Sequence, residues 1–183
     1  EDITAAYLAN YAKAFTDNDT CVNTNLSQRT FGITGWTIEN EITNGGITTG
    51  AHVDKGKSSC FTVTTEWDGF ATTLNDHKVY QTITLAAGYY TFEAVYDDYF
   101  EGQCANSYVV VAEGNTLPTK HTLDQAIAYT AMRAKGAVGS NTVSFLLTEE
   151  TTVSVGLLIN MSGKNCMALQ RFSLTKTFVT IHE

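Results

Sequence analysis

The densest mixture of rings and carboxylates in this 183-residue chain is Tyr96-Asp97-Asp98-Tyr99-Phe100-Glu101, followed closely by Gln103 and Asn106. That combination suits sugar recognition. An aromatic ring packs against the apolar face of a pyranose, while carboxylates and amides direct hydrogen bonds to its hydroxyls. Trp67, Tyr99 and Phe100 are therefore the candidate platforms. Asp97, Asp98, Gln103 and Asn106, together with Glu101, are the candidate polar contacts. The competing role is structural, because a large ring more often packs a core than holds a ligand.

Other chemistries fit less well. Glycosidic cleavage needs two carboxyl groups about 5 Å or about 6.5–9.5 Å apart across a cleft. Neighbouring residues on a strand point to opposite faces, so adjacency alone does not make Asp97-Asp98 or Glu149-Glu150 such a pair, and Glu149-Glu150 reads as a solvated turn. No Gly-x-Ser-x-Gly elbow and no local cysteine-protease signature occurs. His52-x-Asp54 and Asp76-His77 are two-donor loop pairs of the kind that meet water, and no zinc constellation is visible. No cofactor is expected beyond a structural calcium ion, for which Asp17 and Asp19, on either side of Asn18, are the candidate ligands. Asn-x-Ser/Thr triplets occur at Asn18, Asn25 and Asn160, about as many as chance gives in so Thr-rich a chain, so they carry no information on glycosylation.

These groups need elements to position them. With 11 Lys and Arg against 19 Asp and Glu the net charge is −8, and the basic residues are scattered, Lys55 and Lys57 being close neighbours. Phosphate binding relies on clustered cations, so nucleic acid and anionic membranes are disfavoured partners and a neutral glycan is compatible. No run approaches the ~20 apolar residues that cross a bilayer. The start, Glu1-Asp2-Ile3-Thr4, lacks a signal sequence, so the chain as given reads as soluble, with any export signal already removed. The size suits one domain spanning 1–183.

Threonine supplies about one residue in six, and its branched Cβ favours strands. Period-two alternation marks strands at 60–64, 79–85, 90–95, 107–111, 142–147, 153–158 and 169–174. Turn formers separate them, notably Ala86-Ala87-Gly88 and Glu113-Gly114-Asn115. Short strands punctuated in this way indicate an all-β sandwich or barrel. One exception is expected. Leu123, Ile127 and Ala131 recur every four residues behind a Thr122/Gln125 capping box, with Gly136 able to end the segment, which predicts a short helix over 123–135. Ile3, Tyr7, Tyr11 and Phe15 fit either a helical face or an extended strand, and 40–56 and 97–106 read as the longest irregular stretches. Cys21, Cys60, Cys104 and Cys166 show no C-x-x-C spacing, which leaves buried thiols or one or two disulfides in three possible pairings.

Several motifs together carry a resemblance. Asp2-Ile3-Thr4 with Tyr7-Leu8-x-Asn10, Gly35-Trp36-Thr37, Glu66-Trp67 with Phe70, and Gln81-x-Ile83-x-Leu85-x-x-Gly88-x-Tyr90 form the first half. Leu123-Asp124-x-Ala126, Asn141-x-Val143, Thr152-Val153-Ser154-Val155-Gly156 and Phe172-x-Leu174 form the second. The whole, over about residues 2–176, resembles the galactose-binding-like jelly-roll domains of Gram-negative secreted and surface proteins of glycan utilisation and adhesion, which implies an all-β antiparallel sandwich. The family often carries Asp-Asn before the closing Phe, where this chain has Gln170-Arg171. The resemblance implies that Trp36 and Trp67 are core positions. It also implies a non-catalytic carbohydrate-binding module of an exported, periplasmic or cell-surface protein, acting on a glycan or surface polysaccharide through loop residues. The alternatives are a protein-binding adhesion domain and an accessory domain of a glycoside hydrolase with catalysis elsewhere.

Overall fold

The computed structural model describes residues 15–17, 36–39, 47–52, 60–65, 73–96, 106–132, 141–163 and 165–178. Within them the chain forms β1 (Phe15–Asp17), β2 (Thr37–Glu39), β3 (Ile47–His52), β4 (Cys60–Thr65), β5 (Thr73–Leu85) and β6 (Gly88–Tyr96). There follow β7 (Tyr108–Glu113), β8 (Ala128–Ala131), β9 (Asn141–Leu147), β10 (Thr151–Ser162) and β11 (Asn165–Phe178). The fold is an antiparallel β-sandwich. Sheet A runs β3-β4-β11-β6-β9, with β1 also paired to β11, and sheet B runs β2-β5-β10-β7-β8. All seven strands expected from alternation are present.

The alternation works as the pleat requires. Along β9, Asn141, Val143, Phe145 and Leu147 are buried while Thr142 and Ser144 are exposed. Between the sheets, Phe92 and Phe172 stack in parallel with centroids 6.0 Å apart, and Trp36 tilts onto Phe172 at 4.7 Å. Val79, Val109, Val111, Val155 and Leu157 meet them from sheet B. Each such side chain contributes about 1.5–3 kcal/mol on burial. Trp36 is thus a core residue, as the resemblance implies.

β10 departs from alternation, being buried continuously from Val153 to Met161. Its inner side faces the sandwich core. Its outer side lies in a second apolar cluster of Tyr80, Val110, Ala112, Leu117, Leu123 and Leu158. Leu117 and Leu123 belong to the segment 114–127 joining β7 to β8, which crosses the outer face of sheet B as a strap.

This strap overturns the helix expected over 123–135. Leu123–Gln125 make a single 3-10 turn, Ala126 is extended at ψ 150°, and β8 follows, residues 133–135 being outside those described. A four-residue spacing is an even number, so it serves a strand as well as a helix. Thr122 does not cap the turn with its side chain; its Oγ accepts the Thr119 N–H at 3.0 Å. The free edge of β7 then captures the chain, with Ile127 N–H donating to Val111 O and Met132 N–H to Ser107 O. Tyr129 and Thr130 favour that extended state. The stretch 40–56 is likewise not wholly irregular, because it contains β3, which pairs with β4 on either side of a register shift between Thr48 and His52, around Gly50.

Candidate functional site

Most of the loop residues singled out from the sequence, Trp67, Asp97, Asp98, Tyr99, Phe100, Gln103 and Asp19, lie outside the described residues. Asp17 falls on β1, opposite Lys176 of β11. Asn106 is described, and it is exposed with a left-handed φ of 65°, a conformation Asn tolerates. Its carbonyl accepts a hydrogen bond from Asn160 Nδ2 at 2.8 Å. Asn160 also takes the Asp76 N–H on Oδ1 at 2.9 Å, while its backbone exchanges hydrogen bonds with the Ser107 hydroxyl at 3.0 Å. Asn160 is only 6% exposed and its amide is engaged at both ends, so it is a structural junction and not an accessible glycan acceptor.

The pair Asp76-His77 also resolves into structure. Asp76, at φ 49°, lies in β5 where the β5–β10 register shifts, and its carboxylate accepts the Lys120 N–H at 2.9 Å. That bond ties down the middle of the strap. Glu149 and Glu150 are exposed between β9 and β10, as expected of a solvated turn.

The start of the strap is fixed by Gly114, whose N–H donates to Thr152 O at 2.9 Å and whose carbonyl accepts the Ser154 hydroxyl at 2.8 Å. Two residues on, the Thr116 hydroxyl donates to Glu39 Oε1 at 2.6 Å, and the Tyr80 hydroxyl donates to the same oxygen at 2.5 Å. Lys78 Nζ lies 3.5 Å from Glu39 Oε2 and 3.5 Å from Thr116 Oγ1. Burial pushes the Glu39 carboxyl up. The Thr116 and Tyr80 hydroxyls and the Lys78 ammonium outweigh it and hold the carboxyl below the usual carboxylate range. Burial and the neighbouring carboxylate raise the Tyr80 phenol above its ordinary value.

At the far end of the strap the chain enters β8, the last strand of sheet B. Tyr129 opposes Val110 on the outer face and is 49% exposed. Tyr108, packed against the outer cluster, meets Tyr129 edge-on, with centroids 6.1 Å apart and planes at 77°. A T-shaped pair fixes one ring against another while leaving ring surface open. Ile127, at 36% exposure, precedes it, and His121, Asp124 and Gln125 on the strap are exposed. Sequence reading missed this pair because it assigned the segment to a helix. The signal available was the aromatic and β-branched dipeptide Tyr129-Thr130 beside the long apolar run of β10.

A family model described as a domain of unknown function (DUF5013) matches residues 9–156. No curated protein matches the chain. Among solved structures, the chain is similar to the cleaved adhesin domain of Lys-gingipain from Porphyromonas gingivalis. The TM-score is 0.45 at 12% identity, covering 87% of this chain and 99% of that one. It is also similar to a xylanase from Cellvibrio japonicus in complex with xylopentaose, with a TM-score of 0.38 at 8% identity over 86% of this chain and 29% of that one.

Proposed function

The chain belongs to the DUF5013 family, and we propose that it is a non-catalytic carbohydrate-binding module of an exported or cell-surface protein. The observation that carries this reading is the half-exposed Tyr129 ring, braced by Tyr108 on the outer face of sheet B. A braced ring loses little further freedom on binding, so its stacking energy is not spent on ordering. The apolar face of a pyranose covers the ring, and the exposed carboxylate, amide and imidazole of Asp124, Gln125 and His121 supply hydrogen-bonding groups along the approach. The net charge of −8 favours a neutral glycan over an anionic one. A shallow site of this kind binds weakly and gains strength from repetition or attachment to other modules. The reading requires no cofactor. The loop residues Trp67, Asp97, Asp98, Tyr99, Phe100 and Gln103 stand as a second proposed contact region.

A second reading, a protein-binding adhesion domain, is favoured by Ile127 standing exposed two residues before Tyr129. A glycan array separates the two. Wild type is expected to bind neutral glycans, Tyr129→Ala to lose that binding, and Ile127→Ser to retain it. Absence of binding to every neutral glycan refutes the carbohydrate reading. Binding that survives Tyr129→Ala but is lost in Tyr99→Ala moves the site to the loops.

A further inference from the structure

We propose that Glu39 is a positioning residue for the Tyr108–Tyr129 platform, acting from the opposite edge of sheet B by latching the strap. The latch itself follows from the geometry of the fold; its effect on ligand binding rests on the carbohydrate reading above.

β2 and β8 are the two outermost strands of the five-stranded sheet, four spacings of about 4.8 Å apart, so Glu39 and Tyr129 are roughly 19 Å from each other. Three contacts bridge that distance. Glu39 Oε1 accepts both the Thr116 hydroxyl of the strap and the Tyr80 hydroxyl of β5. Tyr80, Leu117 and Leu123 form one apolar cluster with Val110, Ala112 and Leu158, and Tyr108 packs against that cluster. Tyr108 in turn holds Tyr129 edge-on. The backbone provides a second path, since the strap runs directly into β8, a four-residue strand hydrogen-bonded to β7. Releasing the strap therefore takes two leucines out of the cluster against which Tyr108 packs and loosens the entry to β8 together.

The side chains facing the Glu39 carboxylate are Lys78 and Tyr80 from β5 and Thr116 from the strap. The carboxylate is the shared acceptor. Replacing it by an amide keeps an acceptor oxygen and removes the charge, whereas Thr116→Val removes the strap's donor without touching the sheet. The strap carries a cleavage reporter in Lys120, whose N–H is bonded to the Asp76 carboxylate in the closed state.

The test is limited trypsinolysis of the full chain, following by mass the cut after Lys120, on wild type, Glu39→Gln and Thr116→Val. When reclosing is faster than cleavage, the cutting rate follows the population of the open strap. Loss of a charge-assisted hydrogen bond is expected to raise that rate about tenfold. NMR contacts between the Tyr108 and Tyr129 rings are expected to weaken in both variants, and affinity for any glycan bound through Tyr129 to fall with them. Unchanged cleavage after Lys120 overturns the latch. Faster cleavage with ring contacts intact overturns the positioning role. If Glu39→Gln does not fold, the exposed strap variant Thr116→Val decides alone. A wild type that binds no glycan refutes the function proposed above and leaves the latch to be decided by cleavage and ring contacts.

Discussion

Gly156 is the position at which one added methyl group should do the most damage. It lies in β10 between Tyr80 of β5 and Val110 of β7. A Cβ built there would sit 2.0 Å from the Val79 carbonyl oxygen, 2.6 Å from Tyr80 Cα and 2.7 Å from Tyr80 Cβ. Two of those neighbours are backbone atoms, so no rotamer change relieves the clash, and β5 must move away from β10. Overpacking a core usually costs about 1–3 kcal/mol, and a backbone obstacle places Gly156→Ala at about 3 kcal/mol or above. For a chain of this length that lowers Tm by roughly 6–12 °C. Gly163 provides the contrast. Its φ of +70° penalises alanine through conformation alone, by about 1–2 kcal/mol, because nothing lies within 4 Å of the added atom. Calorimetry on both variants, with hydrogen exchange across β5 and β10, measures the difference. Gly156→Ala should melt several degrees below Gly163→Ala and show faster exchange around residues 79 and 80. Equal losses for the two variants, or a wild-type Tm for Gly156→Ala, would refute the steric argument.

Asn160→Ala should cost about 2 kcal/mol or more in urea unfolding, because it strips partners from the Asp76 N–H and the Asn106 carbonyl, and peptide mapping of chain from a glycosylating host should find Asn160 unmodified on folded protein. Glu39 has a depressed pKa in the folded state, so its contribution is present above the ordinary carboxylate range and is lost as pH falls through the lower folded value. Protection of the strap amides, relative to the intrinsic exchange rate at each pH, should accordingly fall on acidification in wild type and change less in Glu39→Gln; an equal acid response in both would contradict the assignment. Oxidised chain should contain no Cys60–Cys166 link. Cys166 opposes Thr64, which puts Cys60 four residues out of step, about 13 Å along the strand and beyond disulfide reach. A Cys60–Cys166 peptide in a non-reducing digest would show the register to be wrong.

Much of the sandwich was legible because half-buried strands advertise themselves through alternation, as in Thr142-Val143-Ser144-Phe145. The strap was not, because what fixes it is remote. Leu117 belongs to no local period and Leu123 to a misleading four-residue one, and both are held by Tyr80, Val110 and Leu158 on three different strands. One clue was present in Leu157-Leu158-Ile159, an unbroken apolar run that implies cover on both faces of β10. β3 was hidden by its glycines, since Gly45-Gly46 and Gly50 read as loop, and its pairing with β4 runs through Ile47, Thr48 and His52 on either side of a register shift. At the candidate site, Tyr129 was obscured by the spacing of Leu123, Ile127 and Ala131, whereas Asn106 was noticed for its amide and proves to contribute its carbonyl. Glu39 lies in a three-residue strand too short to show any period, so its partners 41 and 77 positions away could be found through the fold alone.

The placement of β11 governs the order in which the molecule can be built. This last described strand is paired with β6 along one side and with β4 and then β1 along the other, and it brings Phe172 between Trp36 and Phe92. Until the ribosome has released residue 178, sheet A lacks its middle: β4 has only β3 and β6 only β9 beside it, and β1 still awaits the strand it pairs with. Such distant pairings close slowly. Nascent chain therefore remains pliable until that strand has emerged and docked.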